Sequence, residues 1–133
     1  MGQIKYVYDE TDLKNSNIEV NYVGSDDENI LDSLKVFCLD SIPEGEIEEI
    51  EEKDDGYLVK VKKGYGEEVL AHIFRMTYLV TKFAFIFAKD IESGNFNMET
   101  ADLSLLDADI KKVTEMDYKE LGKLLEEEDN LVC

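Results

Sequence analysis

The 133-residue sequence predicts an α+β domain: a small, mostly antiparallel sheet packed on a long central helix, with a helical C-terminal part. Three observations predict it. The first is residues 67–91, the most apolar stretch of a very acidic chain. At about 100° per residue, its ionisable side chains Glu67, Glu68, His72, Arg75, Lys82, Lys89 and Asp90 gather in one arc of roughly 140°. Val69, Leu70, Ile73, Met76, Val80, Ala84, Phe87, Ala88 and Ile91 fill the opposite arc, whereas a strand would scatter the charges over both faces. The second is Asp54-Asp55-Gly56, a hairpin turn signal between GEIEEIEEK and the alternating YLVKVK. The third is a pair of β-rich runs near the N-terminus, against helical spacing near the C-terminus.

Taken in order, residues 3–8 alternate with β-branched and aromatic character and read as a strand; the polar DETDLKNSN connects them to a second strand at 18–23. Ser25-Asp26-Asp27-Glu28 is a capping box opening a helix that runs to about Asp40. Ile30, Leu31, Leu34, Phe37 and Cys38 form its apolar stripe, and Pro43 with Gly45 closes it. In the hairpin that follows, Ile47 and Ile50 fall on opposite faces of a regular strand. Either a bulge intervenes, or the acids face solvent on both sides of an edge strand. As one continuous helix, residues 67–91 would be about 36 Å long. Leu103, Leu106, Ile110 and Val113 fit a further helical stripe, although DLSLL reads equally as a short strand. Thr114-Glu115-Met116-Asp117 resembles a second capping box, followed by a helix carrying Tyr118, Leu121, Leu124 and Leu125. Its closing Glu126-Glu127-Glu128-Asp129 opposes the helix dipole, so this helix is expected to fray or end early.

The length suits a single domain spanning 1–133, able to bury a core without disulfides. Its two cysteines, Cys38 and Cys133, form neither a CxxC nor a lipidation pattern, and the N-terminus lacks a charged-then-apolar leader, so a reducing, cytoplasmic location is expected. A membrane span through 67–91 would place Arg75 and Lys82 in the bilayer at about 2.5–3.5 kcal/mol each, and no membrane association is expected.

Charge gives the strongest functional hint. The formal net charge is −18, which disfavours direct contact with nucleic acid and favours a basic protein partner. Residues 44–55 hold eight acids and one lysine, and in an extended strand alternate residues lie about 6.6 Å apart, giving two carboxylate-rich rows. Glu46, Glu48, Glu49, Glu51, Glu52, Asp54 and Asp55 are therefore the candidate partner-binding residues, although such runs also serve to solvate a face or block an edge strand.

No catalytic residue is assigned: His72, the lone histidine, reads as a boundary residue of the long helix, and Cys38 as an inert hydrophobe. Asp102, Asp107 and Asp109 fail the calcium-loop spacing, zinc has no ligand set, and Glu67 and Glu68 stand where a phosphate would sit after Gly64-Tyr65-Gly66. No metal or cofactor is expected. The function these features suggest is that of a non-enzymatic acidic inhibitor or immunity-type protein. Its target is the basic, nucleic-acid-binding surface of a nuclease toxin or defence nuclease complex, the latter in anti-CRISPR-like fashion, with DNA mimicry open to either. Two alternatives are a small enzyme or small-molecule binder with a pocket between sheet and helix, and a structural subunit forming a homodimer or larger homo-oligomer.

Overall fold

The computed structural model describes residues 3–23, 32, 34–97 and 99–132. Its contacts gather into two compact units, Met1–Ile73 and Phe74–Cys133, and the boundary falls inside the longest helix.

The first unit holds a four-stranded sheet of β1 (Gln3–Val7), β2 (Ile18–Val23), β3 (Ile47–Lys53) and β4 (Gly56–Val61) in the order β1-β2-β4-β3, antiparallel throughout. Alternation assigns the faces. Ile18 and Val20 lie opposite Val59 and Tyr57, and all four are buried. Lys5, Glu19 and Lys60 point the other way. The sheet packs against the long helix α1 (Gly66–Ile86), whose Val69, Leu70 and Ile73 are fully buried.

Between β1 and β2 the polar connection is a 3₁₀ helix, Glu10–Asn15, started by the Asp9 carboxylate accepting from the Thr11 amide and anchored by buried Leu13. This turn abuts the entry to α1: a Cβ on Gly66 would stand 1.7 Å from the Leu13 carbonyl oxygen, so only glycine fits there.

The capping box at 25–28 and most of the helix expected after it lie outside the described residues. What is described is a π-helical turn, Leu34–Leu39, in which the Asp40 amide bonds back five residues to Lys35. The wider turn changes the phase of the expected stripe. Cys38 is buried as anticipated, but Phe37 is exposed and Leu39 takes a core position instead.

The long helix differs from expectation in two ways. It is not continuous to Ile91: Phe87 leaves helical geometry at φ −102°, ψ 16°, and a short helix α2 (Ala88–Ser93) follows, ended by Gly94 at φ 77°. The Phe87 ring meets those of Phe83 and Phe96, each 5.0–5.3 Å between centroids, and this packing accompanies the break. The buried face is also rotated. Phe74, Thr77 and Tyr78 are buried, whereas Met76 and Val80 are half-buried and Ala84 and Ile91 are exposed.

Polar side chains turn inward because their polar ends find partners. Within the second unit, Arg75 donates to the Val113 and Met116 carbonyls at the end of α3 (Asp107–Thr114), and the Tyr78 hydroxyl donates to Asp109. By length and composition α1 is also apolar enough to cross a membrane, a test that core helices pass as well; about a third of it is buried.

Residues 103–106 form a 3₁₀ turn rather than a strand, led by Asp102 accepting from Ser104. The cap of the last helix, α4 (Tyr118–Val132), is Asp117, which accepts from the Glu120 amide. Thr114 instead closes α3, donating to the Ile110 carbonyl. Contrary to the expected fraying, α4 runs on to Val132. Its Leu- and Glu-rich segment has strong helix propensity, which outweighs a dipole penalty of a few tenths of a kcal/mol per acid.

An acidic hairpin as candidate interface

The seven candidate carboxylates all lie on one hairpin edge. Glu46 ends a 3₁₀ turn, Glu44–Glu46; Glu48, Glu49, Glu51 and Glu52 belong to β3, an outermost strand; Asp54 and Asp55 form the turn into β4.

Pairing with β4 resolves the conflict between Ile47 and Ile50. Ile47 faces Val61 and Ile50 faces Val59, with the register shifting between Ile47 and Glu49. Glu48 is thus the extra residue of a β-bulge, and it lets both isoleucines share the core side although they are three apart.

The two expected carboxylate rows do not survive this arrangement. One side carries Ile47, Ile50 and Glu52. On the other, Lys60 binds Glu49 at 3.2 Å and Glu51 at 3.4 Å, and Lys53 binds Glu51 at 3.0 Å. Hydrogen bonding and attraction from Lys53, then from Lys60, hold the Glu51 carboxyl below its ordinary range, and Glu49 with Glu51 raises Lys60. Glu46, Glu48, Glu52, Asp54 and Asp55 have no such cation among the described residues. Glu52 also belongs to a second negative field: burial first, then Glu52, Asp32 and Asp40, push the Tyr57 phenol above its ordinary value.

His72 has a neighbour that sequence reasoning missed. Its Nε2 lies 2.8 Å from the Ser41 hydroxyl, 31 residues away and just past the π-helical turn. Ser41 also donates to the Phe37 carbonyl at 3.0 Å. A hydroxyl has one proton, so when Ser41 donates to that carbonyl His72 must be the donor, and when the imidazole tautomer leaves Nε2 as an acceptor Ser41 donates to it instead. The pair ties the end of the turn to α1. Cys38, the other side chain weighed against His72, is buried in the core, and Cys133 lies outside the described residues.

Among the described residues no three His, Cys, Asp or Glu side chains converge as a metal site would require. Asp102 and Asp109 instead serve Ser104 and Tyr78. No protein-family model, curated protein or solved structure matches this chain.

Proposed function

We propose that this chain is a non-enzymatic binding protein whose acidic hairpin docks on the basic, nucleic-acid-binding surface of another protein. The target class is a nuclease toxin neutralised by its immunity protein, or a defence nuclease complex blocked in anti-CRISPR-like fashion. One observation carries the reading: at the exposed edge of the sheet, Glu46, Glu48, Glu52, Asp54 and Asp55 lack any cation among the described residues, so their charge does not serve the chain's own ion pairs. Like charges this close repel, and an opposing Lys/Arg surface would relieve that repulsion while steering encounter.

The test is association kinetics against a basic nucleic-acid-binding protein captured from the source cell, at low and high salt. The quadruple variant Glu48→Gln, Glu52→Gln, Asp54→Asn, Asp55→Asn should associate about tenfold more slowly at low salt, with the difference shrinking as salt rises. Glu49→Gln with Glu51→Gln should do much less, because Lys60 and Lys53 already neutralise that pair. Equal rates for wild type and the quadruple variant would reduce the hairpin charge to a solvating role. The enzyme alternative would use His72 or a tyrosine, and His72 stands beside Ser41. A well-folded Ser41→Ala protein that binds its partner but has lost biological activity would revive it.

A further inference from the structure

The strands divide their charge unevenly between the two sides of the sheet. On the side away from the core, β1 contributes Lys5, β2 Glu19, β4 Lys60, and β3 Glu49, Glu51 and Lys53, three cations against three carboxylates. In a chain of formal net charge −18, this side is neutral. The hairpin carboxylates that lack a cation among the described residues lie elsewhere: Glu46 and Glu48 where β3 begins, Glu52 on the core side opposite Tyr57, and Asp54 and Asp55 at the tip. Lys60 makes this division, because it reaches across to two carboxylates of the neighbouring strand at once, Glu49 at 3.2 Å and Glu51 at 3.4 Å.

We propose that Lys60 determines the side from which a basic protein reads the hairpin; the inference rests on the docking reading above and gives it an orientation. With Lys60 in place, an approaching Lys/Arg surface finds no net attraction over the open side of the sheet and is drawn to the tip and the core-side rim. The partner that suits this arrangement has a basic groove into which the projecting turn can enter, rather than a flat patch laid over the strands. Both ion pairs are largely exposed, so they contribute little to stability, and their consequence lies in where the field is cancelled.

The test is binding of a nine-arginine peptide to the full chain at about 0.05 M salt, mapped by NMR on the side-chain carboxylate carbons. In the wild type, shifts should gather at Glu46, Glu48, Glu52, Asp54 and Asp55 and leave Glu49 and Glu51 unmoved. Lys60→Gln should add Glu49 to the map and tighten binding about threefold. Glu51 should respond less, since Lys53 still holds it at 3.0 Å. Lys60→Arg keeps the cation and should keep the wild-type map. Lys5→Gln removes the same charge from the same side without releasing either glutamate, so it should leave Glu49 unmoved and separate a local effect from one of net charge. Wild-type shifts as large at Glu49 and Glu51 as at Glu52 would overturn the proposal. So would a natively folded Lys60→Gln protein with the wild-type map, or a Lys5→Gln protein that reproduces the Lys60→Gln map. In each of these cases the docking reading stands as long as the tip and rim respond, whereas a peptide that leaves the whole hairpin unmoved would sink both.

Discussion

The two halves of α1 are alike in composition and opposite in circumstance. From Val69 to Tyr78 the helix buries Val69, Leu70, Ala71, Ile73, Phe74, Thr77 and Tyr78; from Leu79 to Ile86 Leu79, Val80, Phe83 and Ile86 are only half-buried and Ala84 and Phe85 are exposed, though the later segment is the more uniformly apolar. Hydrophobicity is therefore a poor guide to burial along this helix. In the covered half polar residues reach other elements, Arg75 to two carbonyls and Tyr78 to a carboxylate, while Thr81 in the later half bonds back to Thr77 of its own helix.

Truncating a side chain in each half is the most direct way to break this contrast. Ile73→Ala should cost about 2–5 kcal/mol, because it removes fully buried carbon and leaves a cavity. Phe85→Ala, the larger deletion, should stay within about 0.5 kcal/mol for the monomer. Urea denaturation at low protein concentration compares them, and similar losses at the two positions would dissolve the distinction. Arg75→Met keeps much of the apolar stem while deleting the bonds to Val113 and Met116; a loss of about 1.5–3 kcal/mol is expected, read in the same titration.

A smaller effect sharpens the contrast with the hairpin, where charge rather than carbon is exposed. Because the Glu51 carboxyl is held below its ordinary value of 4.5, its ion pair contributes fully above that pH and is lost as pH falls through the lower, folded-state value. The difference in melting temperature between wild type and Glu51→Gln should therefore shrink as pH is lowered from about 7 to about 3. A difference that stays constant or widens on acidification would show that the pair with Lys53 and Lys60 does not contribute.

The hairpin is the most legible part of the sequence. A turn signal and two-residue alternation point to β4, and two isoleucines three apart allow either a bulge or acids on both faces of an edge strand, of which the bulge is present. Periodicity also finds α1, because the seven ionisable groups of residues 67–91, five of them in α1, are confined to one arc, which suits a helix and contradicts a strand. It does not say where the helix is covered, since that depends on neighbours distant in the chain. Ser41 could not be matched with His72 for the same reason, compounded by a π-turn that shifts every residue after Leu34 out of α-helical phase. The last cap is a case of two overlapping signals: Thr114 and Asp117 can each start a helix, and only Asp117 lies beyond the end of α3. Within the interface, the carboxylates were readable as a group, but their division by Lys60 required cross-strand register.

The bulge at Glu48 bears on what the open edge of the sheet can pair with. An outermost strand is a template on which a stranger's strand can be laid, and repetition of that event builds a fibril. At β3 an incoming strand would meet a ladder interrupted one residue after it begins. In-register stacking of identical chains would then set glutamate above glutamate about every 4.8 Å. Deleting Glu48 would bring Ile47 and Ile50 to a spacing of two, so both would stay on the core side of a strand that no longer needs a bulge, and the edge would become regular. Amyloid-type growth from this end of the sheet is thus opposed twice by one residue, through its charge and through the irregularity it creates.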